Sequence, residues 1–97
     1  MKRYLIIISY LFIVMTSFAQ QFELSRAKRL IQRQEYLEAA RILRPLAESG
    51  NAEAQHLAAG LFMEGKGVIK SPKQAEMYYT KAAKADYEPS VLALFDY

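Results

Sequence analysis

Residues 54 to 83 constrain this chain more than any other stretch. The run Ala54-Gln55-His56-Leu57-Ala58-Ala59-Gly60-Leu61-Phe62-Met63-Glu64 is followed by Gly65-Lys66-Gly67-Val68, then Ala75, Tyr78-Tyr79 and Lys81-Ala82-Ala83. Small alanines alternate with large aromatics at three- and four-residue steps, the spacing of helix faces that pack. The two close glycines between them suit a turn with backbone angles that other residues resist. The stretch therefore predicts a helix, a glycine turn and a second helix that folds back on the first.

The flanking residues extend the pattern. Leu24, Ala27, Leu30 and Ile31 share one face of a helix predicted over 22–33. Gln34-Glu35 is a short connection, and a second helix is expected over 36–48, with Tyr36, Ala39, Ala40, Leu43, Leu46 and Ala47 inward. Pro45 removes the amide bond to the Arg41 carbonyl and is expected to kink that helix. Gly50 can end it in the left-handed conformation, and Asn51 can cap the next, over 52–64. Val68 can tuck under the hairpin. Ser71, Pro72 and Gln74 make a capping start for a fourth helix that ends at Lys84. A fifth begins near Glu88-Pro89 and runs to Tyr97. No strand-like alternation appears, so the fold class is all-α.

The first twenty residues read differently. Lys2-Arg3 precede an apolar run from Tyr4 to Val14, and Ser17 and Ala19 are small. This is the charged, apolar and small-residue order of an export signal, with cleavage expected after Ala19. The division is then a signal over 1–19 and a helical domain over 20–97. The apolar run is short of the about 20 residues of a membrane span, but an uncleaved membrane anchor is the alternative. The expected location is periplasmic or secreted, with no membrane contact after cleavage. Without Lys2 and Arg3 the thirteen basic residues fall to eleven, against ten acidic. Near-neutral charge and export make a nucleic acid partner unexpected. The chain has no cysteine, which excludes disulfides and thiolate metal sites.

The pattern repeats. Leu46-Ala47-Glu48-Ser49-Gly50 pairs with Ala82-Ala83-Lys84-Ala85-Asp86 at an offset of 36, as Ala47 does with Ala83 and Ala54 with Ser90. Tyr36-Leu37-Glu38-Ala39 pairs with Pro72-Lys73-Gln74-Ala75 at the same offset. An offset in the mid-thirties carried by helix pairs indicates an α-solenoid. The unit from Ala54 to Ala83 resembles a Sel-1-like repeat, a relative of the tetratricopeptide repeat. The residues that carry the resemblance are Ala54, Phe62, Gly65-Lys66-Gly67-Val68, Ala75, Tyr78-Tyr79 and Lys81-Ala82-Ala83. Ala58-Ala59 stands where that family has leucine-glycine. The first hairpin lacks the glycine turn and is more like an ordinary tetratricopeptide repeat. The resemblance implies a short α-solenoid of antiparallel hairpins, about two and a half repeats long, which stack because no hairpin buries its apolar face alone.

The resemblance also implies a function class: a non-catalytic module for protein–protein interaction or assembly. The groove side of the third helix should carry Glu53, His56, Gly60, Met63 and Glu64, facing a protein or peptide segment. No cofactor is expected. His56 and Glu53 alone fall short of the three or four ligands of a stable metal site. Ser25-Arg26-Ala27-Lys28 fits the serine-x-x-lysine pattern of penicillin-recognising enzymes, and some exported cysteine-rich members of the repeat family are linked to penicillin binding. A penicillin-interacting enzyme is therefore an alternative, though the other signatures of such enzymes are missing. Gly65-Lys66-Gly67 lacks the spacing and ending of a phosphate loop. Arg26, Lys28, Arg29, Arg33, Arg41 and Arg44, interleaved with acids, read as a solvated face. Val91, Leu92, Leu94, Phe95 and Tyr97 form an apolar surface with no following helix. It can cap the array, support self-association, or mark a truncated structural fragment of a longer repeat protein.

Overall fold

A computed structural model describes residues 2–95 of the chain. Among these residues there are five α-helices and no strand: α1 Lys2–Gln32, α2 Tyr36–Glu48, α3 Ala52–Glu64, α4 Pro72–Lys84 and α5 Glu88–Phe95. The principal contacts are between consecutive helices, α1 with α2, α2 with α3, α3 with α4 and α4 with α5. The bounds of α2, α3 and α4 agree with those read from the sequence. The helix starts keep the offset of 36: Tyr36 with Pro72, and Ala52 with Glu88.

The first helix departs from expectation. It does not begin at Phe22 but runs unbroken from Lys2 to Gln32, through the boundary predicted after Ala19. The reason is local: no glycine or proline interrupts this stretch, and its leucines, alanines and methionine favour helix. Its two parts differ in environment. The apolar side chains of the leading half, from Tyr4 through Phe18, are exposed apart from half-buried Val14. Packing begins at half-buried Gln20 and deepens at Leu24 and Ala27. The packed part, Gln20 to Gln32, spans thirteen residues, the length of each of α2, α3 and α4. By length and composition α1 is apolar enough to cross a membrane, as export signals and anchors both are. The fifth helix is described to Phe95, and Tyr97 lies outside the described residues.

Four helix ends share one device, a residue in the left-handed region. These are Gln34 (φ 63°), Gly50 (100°), Gly65 (69°) and Asp86 (59°). At the first, Gln34 N–H donates to Ile31 O and Glu35 N–H to Leu30 O, which satisfies the carbonyls left by the last turn. Gly50 with Asn51, and Asp86 with Tyr87, repeat that pair of bonds. Starts are capped by side chains: Asn51 Oδ1 accepts from Ala54 N–H at 2.9 Å, and Ser71 Oγ from Gln74 N–H at 3.2 Å. The α2 helix continues past exposed Pro45 to Glu48.

The core is narrow. Its buried apolar side chains include Ala27, Ala40, Ala47, Ala54, Ala58, Ala59 and Ala75, with Leu24, Leu43, Leu61, Phe62 and Tyr78 between them. Phe62 and Tyr78 stack across α3 and α4, 5.8 Å between ring centres. Val68 packs back against this core from the turn. Buried Gln55 donates from Nε2 to Ala47 O at 3.1 Å and ties α3 to the end of α2. At the far end Ser90 is fully buried, while Leu92 and Phe95 remain exposed.

Gly67 has two constraints at once. Its φ is 73°, and a Cβ there would lie 2.3 Å from the Tyr36 carbonyl oxygen. The glycine turn of the second hairpin is thus pressed against the first residue of α2. Gly67→Ala is expected to destabilise the fold by about 3 kcal/mol, from left-handed strain plus a collision with backbone. Gln34→Gly is expected to stabilise it by about 0.5–1 kcal/mol, by relieving the same strain where nothing collides. Urea unfolding of both variants measures the contrast; equal midpoints would show that the turn moves freely.

Candidate functional site

On one face of α3, His56, Gly60 and Glu64 stand four residues apart and so form a single row. Opposite this row lie Ile31 of α1, Tyr36 of α2, Tyr79 of α4 and Lys66 of the glycine turn. With Leu57 and Leu61 they enclose an open concavity of about 220 Å³. Four helices and a turn therefore meet at an open cup lined by aliphatic and aromatic side chains.

One end of the cup is set by His56. Its Nδ1 shares a 2.7 Å hydrogen bond with Ser90 Oγ of α5. Its ring meets Tyr79 edge-on and Tyr87 at a tilt, each with centres 5.3 Å apart. Partial burial lowers the His56 pKa below its ordinary value, and the carboxylate of Glu53 opposes this only in part. Burial likewise raises the Tyr87 pKa; Glu53 adds to the rise and Lys28 opposes it. The other end is set by Lys66, whose ammonium bonds Glu64 at 2.6 Å and stands 5.0 Å above the Tyr36 ring. Those two partners, Glu64 foremost, raise the Lys66 pKa.

Of the five groove residues expected from the sequence, the structure brings His56, Gly60 and Glu64 to the cup. Glu53 lies one turn earlier and forms an ion pair with Lys28 of α1. Met63 packs against the core and is not part of the lining. Of the serine-x-x-lysine pair, Ser25 is exposed and Lys28 is held by Glu53. Arg26, Arg29, Arg33, Arg41 and Arg44 are exposed, and Arg41 lies 3.8 Å from Glu38 one turn away. Tyr36, Lys66, Tyr79 and Ser90 were not among the expected site residues. Tyr79 had a signal in the Tyr78-Tyr79 pair: helix geometry sends adjacent side chains to different faces, and Tyr78 takes the core.

Gly60 is the least explained residue of the row by folding needs. It is not among the glycines with positive φ. A Cβ built on it would meet only the Tyr79 hydroxyl, at an ordinary 3.8 Å. Within a helix, glycine costs about 1 kcal/mol relative to alanine. Its effect is to leave the middle of the cup open between His56 and Glu64. The lining offers aromatic faces and aliphatic contact, with its lysine and glutamate already paired to each other. No family model, no curated protein and no solved structure matches this chain.

The lowered His56 pKa has a consequence for stability. The unfolded chain takes up a proton near the ordinary histidine value of about 6.5, while the folded chain resists it until lower pH. Stability is therefore full above that value and is lost as pH falls toward and through the folded His56 pKa. The melting temperature is expected to fall as pH drops below about 6.5, before most carboxylates titrate. His56→Gln should flatten this part of the profile. A slope unchanged in the variant would assign the effect to other groups.

Proposed function

We propose that this chain is an exported, non-catalytic helical-repeat module, an α-solenoid similar to Sel-1-like repeats, that holds a protein or peptide segment. Three features support the repeat reading: consecutive helices pack on one another, helix starts recur at the offset of 36, and Gly50 and Asp86 end their helices in the same left-handed way. Export is supported by the exposed apolar half of α1 and by packing that begins at Gln20, next to the expected cleavage after Ala19. Removal of the first nineteen residues would leave a first helix equal in length to the next three.

The observation that carries the binding role is Gly60. A residue that lowers helix stability, with room for a methyl group beside it, keeps a cup of about 220 Å³ open. Its volume and lining suit one apolar or aromatic side chain of a bound segment. A charged side chain would have to break the Lys66–Glu64 pair or stand against a neutral imidazole.

The test uses the mature chain as bait in the cell fraction that contains it, with Gly60→Ala as the matched variant. Gly60→Ala is expected to raise stability by about 0.5–1 kcal/mol. It should also reduce partner capture at least tenfold. A variant that is more stable and captures the same partner equally well would remove the cup from the binding role.

A further inference from the structure

We infer that Gln20 is a modification site: as the first residue of the mature chain it closes on itself to a five-membered lactam. The inference rests on the export reading above, in which cleavage follows Ala19. Glutamine at an N-terminus carries its carboxamide carbon within ring-closing reach of its own amine. The amine nitrogen attacks Cδ, the N–Cδ bond forms, and the Cδ–Nε2 bond breaks. Nε2 leaves as ammonia with a proton from the amine. Nothing is oxidised or reduced, and no co-reactant is consumed.

The surroundings of Gln20 favour the closed form. Cleavage would make Gln20 the first residue of a helix, where amine groups have no intrahelical acceptor and are free to react. Its side chain already stands against a second helix start: Gln20 Oε1 accepts a long 3.4 Å hydrogen bond from Asn51 Nδ2. Asn51 is the residue that caps α3 through its Oδ1. A free terminal ammonium, with a pKa of about 8, would be charged at neutral pH. It would lie at the positive end of its own helix dipole and beside that of α3, where cations are disfavoured. Lactam formation removes this charge.

Mass spectrometry of the N-terminal peptide tests this on full-length protein expressed in its own cell, exported there and quenched promptly in acid. The expected peptide begins at Gln20, is one ammonia lighter than encoded, and resists aminopeptidase. A peptide that begins at Gln20 with its full encoded mass would overturn the lactam and leave export intact. A chain that still begins at Met1 would overturn the export reading and the lactam with it. Gln20→Asn, whose shorter side chain cannot close that ring, should give a mature N-terminus of full mass open to aminopeptidase. The same ammonia loss in this variant would place the reaction elsewhere and overturn the assignment.

Discussion

Close approach of helices along alanine seams is the constraint on which the other features depend. Among the described residues, fourteen apolar side chains are buried and nine of them are alanine. Alanine contributes little apolar area, so the seam stabilises chiefly through contact density. It also leaves no room for addition, because a packed interior resists even one extra methylene. The few large groups, Leu24, Leu43, Leu61, Phe62 and Tyr78, fill the spaces that the seam leaves. The approach is close enough to press Gly67 against the Tyr36 carbonyl and to bring the hydroxyl of Ser90 to the imidazole of His56.

The cup follows from the same packing. Its walls belong to four helices and the glycine turn, and packing contacts close by place them. Ala75 and Tyr78 bury one side of α4, which turns Tyr79 toward α3. Buried Ser90 fixes α5 and gives His56 its partner. Gly67 fixes the turn beside Lys66, whose ammonium then reaches both Glu64 and Tyr36. Gly60 has room for a methyl group beside it, and it lies between His56 and Glu64 in the lining of the cup.

Much of the fold was legible because its signals are local. Asn51, Gly50, Ser71 and Pro72 act within one turn of themselves, and the bounds of α2, α3 and α4 followed from them. The start of α1 was not legible as a helix end, since no helix breaker stands between Lys2 and Gln32 to mark one. Gln34 and Asp86 were not recognised as left-handed ends, because neither is glycine; only the pairing of Asp86 with Gly50 at the offset of 36 hinted at it. In the cup, His56, Gly60 and Glu64 are three of the five residues that the resemblance implied for the groove side of α3. Tyr36, Lys66, Tyr79 and Ser90 reach them from other elements, through tertiary contacts that no local pattern encodes. Glu53 and Met63 show the opposite limit: the right stretch of helix, but one is held by Lys28 and the other by the core.

Equilibrium urea unfolding of Ala59→Leu tests the close approach of the helices most directly. Ala59 is fully buried in α3, and leucine there adds bulk without polarity or an altered backbone. Close packing predicts a loss of about 1–3 kcal/mol, because the added side chain must force neighbouring helices apart. An unchanged or raised midpoint would contradict the seam, and with it the physical basis for the positions of Gly67, Ser90 and the cup.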